Sequence, residues 1–217
     1  MSATPTTTRL APSPTGALHL GNARTFLLNW LLAKQRGWRV LFRMEDLDGP
    51  RIKAGAAEAA IRELTWLELT WEGEIVYQSD HTEEYEKALM HLANAGQAYL
   101  CTCSRKDIAL AASAPAEEDG VAAYEGQCRG RYATPEDALH QSGRAPAWRV
   151  VVDDTPITFH DEFAGPQSFD LSRCCGDFII FRRQGLAAYQ LAVVIDDANA
   201  GVDAVVRGHD LLESAAM

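Results

Sequence analysis

Between a short apolar segment and a helical one, the chain runs through Pro12-Ser13-Pro14-Thr15-Gly16, and this stretch limits the fold more than any other. The two prolines neither continue a strand nor let a helix start cleanly. Arg9 to Ala11, just before, reads as the end of a first strand. From Gly21 to Lys34 the pattern is helical, with Phe26, Leu27, Trp30 and Leu31 on one face and Gly37 as its stop. A helix N-terminus reached from such a loop offers free N–H groups and a positive dipole end, suited to phosphate. Gly21 lets a ligand approach the backbone closely. His19 is placed to donate hydrogen bonds to a phosphate whose charge grows in a transition state. Taken alone, His19 and Gly21 fit a proline-rich loop with a surface histidine better than a catalytic loop.

The pattern continues in the same alternation. Trp38 to Met44 reads as a buried strand, Ala56 to Leu69 and His81 to Ala95 as amphipathic helices, and Ala98 to Cys101 as a strand. Strands alternating with helices imply βαβ units around a parallel sheet, an α/β fold. From Cys101 to Phe169 the order is less regular. Ala111 to Gly120 reads as a mobile loop, and short strands at Ala147 to Val152 and Ile157 to His160 imply a small antiparallel insertion. The α/β order resumes at Asp177 to Phe181, Tyr189 to Ile195 and Ala204 to Arg207.

With 217 residues the chain is long enough for one core carrying a small inserted module. It has no apolar run long enough for a transmembrane helix and no basic-then-apolar leader, which points to the cytoplasm. The net charge of −10 argues against a dedicated nucleic-acid-binding module, although Arg129, Arg131, Arg182, Arg183 and Arg207 offer a local basic patch or scattered solvated charges. Five cysteines, an odd number, do not make a disulfide framework. Cys174 and Cys175 read as small core residues. Cys101, Cys103 and Cys128 are thiolates of the kind that structural zinc sites use.

Two further constellations carry charge where a ligand belongs. Arg43-Met44-Glu45-Asp46-Leu47-Asp48 falls at the carboxyl end of the second strand, where open α/β sheets bind ligands. Alternation puts Arg43 and Glu45 on one face, and a carboxylate there suits the α-ammonium of an amino acid. Tyr189-Gln190-Leu191-Ala192-Val193-Val194-Ile195-Asp196-Asp197 joins an apolar element to an acidic cap, and Val205-Val206-Arg207-Gly208 follows.

From about Arg9 to Leu212 these segments resemble class I aminoacyl-tRNA synthetases of the glutamyl type, with a Rossmann-like catalytic domain. The resemblance implies that Pro12 to Asn22 is the ATP-binding "HIGH" region, with Pro12, His19, Gly21 and Asn22 at ATP and His19, Gly21 and Asn22 in catalysis. Asn22 stands where that motif ends in histidine. The resemblance further implies a glutamate site of Arg9, Leu10, Ala11, Pro12, Ser13, Glu45, Tyr189 and Arg207, with the Arg9 guanidinium suited to a side-chain carboxylate. It implies ATP with Mg²⁺ as co-substrate, and one structural Zn²⁺ on Cys101, Cys103, Tyr124 and Cys128. A phenolic ligand must be ionised by the metal, since its ordinary pKa is near 10.

Asp177 to Arg183 and Val205 to Leu212 look closest to the short branch of the family. That branch lacks an anticodon-binding domain and attaches glutamate to the queuosine base of tRNA(Asp). The alternatives are a catalytic fragment that charges the 3′ end of tRNA(Glu), and a tRNA-binding or glutamate-sensing module without catalysis. The expected organisation is residues 1–100 as the first half of the catalytic domain, 101–170 as the zinc-binding insertion and 171–217 as the second half. A monomer is expected; the last lysine is Lys106, so we also expect a chain truncated before the KMSKS-type lysine loop and weak in activation.

Overall fold

The computed structural model describes residues 5–47, 49–111 and 123–217. Asp48 and most of the Ala/Glu-rich stretch read as a mobile loop lie outside the described residues. In chain order the elements are β1 (Thr7–Leu10), α1 (Leu20–Arg36), β2 (Arg39–Met44), α2 (Ala56–Trp66), β3 (Val76–Tyr77), α3 (Thr82–Asn94), β4 (Ala98–Cys101), α4 (Arg105–Ala111), α5 (Pro135–Ser142), β5 (Ala147–Val150), β6 (Ile157–Asp161), β7 (Gly165–Phe169), α6 (Leu171–Cys174), β8 (Ile179–Phe181) and α7 (Tyr189–Ala200). They fall into two compact units, Met1–Glu84 with Ala192–Leu211, and Tyr85–Leu191 with Leu212–Met217.

The first unit holds the predicted parallel sheet, in the order β1-β2-β3. β1 pairs with β2 in the register Thr7↔Arg39 to Leu10↔Phe42, and β2 with β3 through Arg43↔Val76 and Met44↔Tyr77. Leu10, Val40, Phe42 and Met44 from the strands meet Ala33, Ala60, Leu64 and Leu69 in one buried cluster. Phe42 and Trp71 add a tilted ring contact at 4.6 Å between centroids, worth roughly 0.5–1.5 kcal/mol beyond area burial.

The face that α1 turns inward differs from the expected one. Phe26 and Trp30 pack on the core, but Leu27 and Leu31 are 38% and 48% exposed. Their places are taken by Asn29 and Ala33, both buried. A polar residue wins an inward position because it is satisfied there: Asn29 Nδ2 donates to the Arg9 carbonyl at 2.9 Å, and its Oδ1 accepts from the Thr8 hydroxyl at 3.0 Å. α1 ends at Gly37, whose left-handed backbone (φ 66°) lets its N–H reach the Ala33 carbonyl.

α2 stops short of the expected Leu69. Glu68 takes a left-handed backbone (φ 59°), and the Leu69 N–H returns to the Leu64 carbonyl. The predicted strand at Ala204 to Arg207 is irregular instead. The segment still lies beside β1, because the N–H groups of Asp203 and Ala204 both donate to the Thr7 carbonyl. The apolar Tyr189 element is a helix that continues to Ala200 and ends at Gly201.

In the second unit β4 and β8, read from the sequence as members of the alternating pattern, pair antiparallel with β5 in the order β4-β5-β8. β6 and β7 form a separate antiparallel hairpin, of which only the first strand was anticipated. Cys174 is exposed and Cys175 half-buried at the end of the short α6, so neither is a core residue as predicted.

Candidate active site and metal centre

In the first unit the proline-rich loop is fastened by its neighbours. The Glu45 N–H donates to the Pro12 carbonyl at 2.9 Å, and the Lys53 N–H to the Pro14 carbonyl at 3.1 Å. The Leu18 N–H donates to Glu63 Oε2 at 3.0 Å, and the Ser13 hydroxyl to Glu45 Oε2 at 3.4 Å. Backbone groups that a proline-rich loop cannot pair within itself are thereby paired outside it. Leu10 lies wholly in the core, so only its backbone is available to line a ligand.

His19 is the N-cap of α1. Its Nδ1 accepts from the N–H groups of Gly21 (3.1 Å) and Asn22 (3.4 Å), and Asn22 Oδ1 accepts from the His19 N–H at 3.3 Å. This is a capping box with imidazole in the place of a hydroxyl. With Nδ1 accepting, the ring proton belongs on Nε2, which leaves one N–H to donate outward. Gly21 serves this arrangement directly: a Cβ there would stand 3.0 Å from the imidazole ring. The helix N–H groups expected to be free are therefore held by His19 itself, and the histidine is the outward donor.

Arg9, Arg43 and Glu45 meet in one buried network with two residues the sequence reading left as an acidic cap, Asp196 and Asp197. Asp197 Oδ1 accepts from Arg9 Nε at 3.1 Å and from Arg43 Nη1 at 2.5 Å. Arg43 Nη2 donates to Glu45 Oε1 at 3.2 Å. Asp196 accepts from Gln78 Nε2 at 2.7 Å, lies 3.1 Å from His81 Nδ1, and forms an ion pair with Arg43 Nε at 3.7 Å. Two guanidiniums thus face three carboxylates, with the His81 imidazole against Asp196. Burial raises the pKa of Glu45, only partly offset by Arg43 and Arg9.

Arg207 is half-buried, with its Nη1 buried and without a hydrogen-bond partner, a state shared among the described residues only by Arg43 Nε. Such a donor is costly unless an acceptor arrives. Tyr189, half-buried, belongs to the second unit, and its assignment rests on the resemblance alone. Asp196 and Asp197 were legible as charges within the motif, but nothing in a linear sequence says that they pair with Arg9 and Arg43.

The second unit brings the four predicted metal ligands together. The sulfurs of Cys101, Cys103 and Cys128 all lie within 4.8 Å of one another, and Cys103 and Cys128 are 3.5 Å apart. The Tyr124 hydroxyl lies 3.3 Å from Cys101 Sγ and 3.5 Å from Cys103 Sγ. Zinc–sulfur bonds of about 2.3 Å in a tetrahedron need ligand separations of roughly 3.8 Å, so the four atoms fit a zinc ion with small adjustments. Tyr124 is seated by a parallel bridge to Gly176. Gly176 has φ 62°, and a Cβ there would stand 2.2 Å from the Tyr124 carbonyl oxygen, so glycine is required.

The ligand groups differ in acidity. Burial pushes the Cys103 thiol up to about 11. At Cys128 burial acts in the same sense, but hydrogen bonds from the Tyr124 phenol and the Thr102 N–H outweigh it and lower the pKa. Burial, followed by hydrogen bonds with the three thiols, holds the Tyr124 phenol well above its ordinary range. Behind the ligands, Asp177 is fully buried and accepts from Arg129 Nε at 2.7 Å, from the Val152 N–H at 2.8 Å, and from the Tyr99 hydroxyl. Arg183 donates to the carbonyls of Thr102 and Cys103, and Arg131 lies over the Tyr132 ring. The arginines of this unit considered as a basic patch are thus engaged locally, Arg182 included.

The family model for class I tRNA synthetases (E and Q), catalytic domain, matches residues 5–217, and the chain belongs to that family. Among curated proteins it is similar to the Glutamyl-Q tRNA(Asp) synthetase of Geobacter sulfurreducens, 46% identical over 95% of this chain and 63% of that protein. It is 47% identical to the one of Chromobacterium violaceum, over 95% of this chain and 66% of the other. For the one of Neisseria meningitidis serogroup C the identity is 45%, over 96% and 68%. The chain therefore spans about two thirds of the length of these relatives.

Two solved structures share the fold, a glutamate tRNA ligase from Elizabethkingia meningosepticum and a glutamate-tRNA synthetase from Elizabethkingia anophelis. The TM-scores are 0.80 and 0.81 and both identities are 26%. They cover 97% and 98% of this chain, and it covers 45% and 46% of theirs. Among the described residues no helix is long and apolar enough to cross a membrane.

Proposed function

We propose that the protein activates glutamate with ATP and Mg²⁺ to glutamyl-adenylate and transfers the glutamyl group to the queuosine base of tRNA(Asp). The observation that carries the amino-acid part is the Arg9–Asp197–Arg43–Glu45 network, buried at the end of β2, with Asp196 as a third carboxylate against two guanidiniums. It suits an incoming α-ammonium, which Glu45 would receive, and Arg207 Nη1 is a buried donor in want of an acceptor such as a carboxylate. Asp197 fixes Arg9 and Arg43 in advance, so binding would not have to order them. The choice of tRNA(Asp) rests on the identities of 44–47% to proteins of that name.

In the activation step the glutamate α-carboxylate attacks the α-phosphorus of ATP and pyrophosphate leaves. This reaction calls for positioning and charge stabilisation more than for proton transfer. His19 would donate its Nε2–H to phosphate, with Gly21 and Asn22 holding the imidazole through its cap. In the second step a hydroxyl of queuosine attacks the acyl carbon and AMP leaves. A zinc ion on Cys101, Cys103, Tyr124 and Cys128 would tie the end of β4 to the Tyr124–Cys128 segment and so fix that part of the fold. Its role is structural, because all four positions are filled by protein.

The test is glutamate-dependent ATP–pyrophosphate exchange without tRNA, on the product of the whole reading frame, followed by transfer of labelled glutamate to queuosine-containing tRNA(Asp). Exchange with glutamate alone and labelling of tRNA(Asp) are expected. Exchange that waits for tRNA(Glu) would replace this reading with charging of the 3′ end. Glutamate binding without exchange under either condition would leave a sensing module.

A further inference from the structure

On the reading that Cys101, Cys103, Tyr124 and Cys128 hold zinc, we infer that Arg149 is a positioning residue of that centre, compensating its charge and fixing two of its ligands. Three thiolates and one phenolate around a divalent ion leave two negative charges. Cys101, Tyr124 and Cys128 are each no more than 2% exposed, so water does little to stabilise that charge. Arg149 is 6% exposed and lies on β5 at a register shift against β8. Its guanidinium sits 3.9 Å from the centroid of the Tyr124 ring. Its Nε donates to Cys101 Sγ at 3.3 Å, and Nη1 donates to the Asp177 carbonyl.

One cation thus touches two ligands in two ways, edge-on to a sulfur and face-on to a ring. Only a planar fork does both, and the anchor at Asp177 holds it in the plane that does so. Arg149 therefore holds two of the four ligands from one side, the Cys101 sulfur and the Tyr124 ring. The nearby Arg129 cannot substitute, since its charge is matched by Asp177 at 2.5 Å.

The experiment is competition of Zn²⁺ against a chromophoric chelator for the parent chain, Arg149→Met, Tyr124→Phe and the double variant. Loss of such an outer contact typically weakens metal binding by about 10–100-fold, and that is expected for Arg149→Met. In the Tyr124→Phe background the further loss is expected to be several-fold smaller, because one of the two anions that Arg149 faces is gone. Equal losses in both backgrounds would mean that Arg149 only holds β5 in place, and unchanged affinity in Arg149→Met would remove any role; either result overturns the assignment.

Should Arg149→Met fail to fold, Arg149→Lys carries the test through the spectrum of the Co²⁺ form. The phenolate-to-cobalt band is expected to weaken while the thiolate bands persist, and an unchanged spectrum at parental affinity overturns the assignment. A parent chain that takes up no zinc would remove the metal reading itself, and this one with it.

Discussion

At His19 a single imidazole performs two tasks through different atoms: Nδ1 caps α1 and Nε2–H faces outward. Substitution can separate them. Asparagine is among the best N-caps, so His19→Asn should leave the melting temperature within about 1 kcal/mol of the parent's equivalent stability while removing the outward donor. Exchange activity should fall by about 10²-fold or more, the usual cost of one transition-state donor. A fall in melting temperature with activity retained would reverse the assignment. Glu45 poses the opposite balance. Its pKa is raised in the folded protein, first by burial, so it binds its proton more tightly folded than unfolded. Its contribution to stability is therefore greatest below the ordinary glutamate value of about 4.3 and is lost as pH rises through the raised one. Glu45→Gln leaves Arg9 and Arg43 matched by Asp196 and Asp197. It should not lower the melting temperature at neutral pH, yet should weaken glutamate binding at least about tenfold, the worth of a charge-assisted hydrogen bond. In calorimetry the parent's affinity should decline on acidification at a pH above that of an ordinary glutamate, and Glu45→Gln should lack that decline.

Among the elements, the end of α2 shows how local strain is tolerated. Glu68 adopts a left-handed backbone that costs a side-chain-bearing residue about 1–2 kcal/mol. The return of the Leu69 N–H to the Leu64 carbonyl, and the burial of both leucines in the core, hold it there. Glu68→Gly should relieve more strain than it adds in unfolded-chain entropy, a net gain of up to about 1 kcal/mol, seen as a higher urea midpoint at unchanged slope. A lower midpoint would show that the Glu68 side chain contributes more than its backbone costs. α1 teaches a related lesson about faces. Four apolar residues at helical spacing were expected to point inward together, but Asn29 took the inward position through bonds to Thr8 and Arg9. The outcome depended on polar groups of β1, roughly 70 Å of extended chain away by reach and adjacent only after folding.

For the molecule as a whole, both units bury apolar side chains, and the second also carries the ligand cluster. The first has a conventional core of apolar strands under two helices. The ligand cluster in the second packs little more than Cys101, Ile108, Tyr124 and Cys128, with Tyr99, Cys103 and Tyr132 around them. A metal there would supply what apolar area does not. Removing zinc with a chelator should raise amide hydrogen exchange around residues 99–103 and 124–132 while Leu10, Phe42 and Leu64 keep their protection. Uniform deprotection, or none, would contradict a structural metal confined to that unit.

The sequence by itself determined the kind of fold and the types of residue in each site. Proline and glycine punctuation, the helix and strand periods and the spacing of Cys101, Cys103, Tyr124 and Cys128 are local signals, and local backbone physics acts on them directly. Where those signals failed, the deciding partner was remote in the chain. β4 and β8 each pair antiparallel with β5, because β5 lies between them. The segment after α7 ran beside β1 without becoming a strand because its N–H groups converge on the Thr7 carbonyl. The pairing of Asp197 with Arg9 and Arg43, and of Arg149 with Cys101 and Tyr124, was likewise decided only in three dimensions. A charge in a sequence has no partner until folding has excluded the water that would otherwise solvate it.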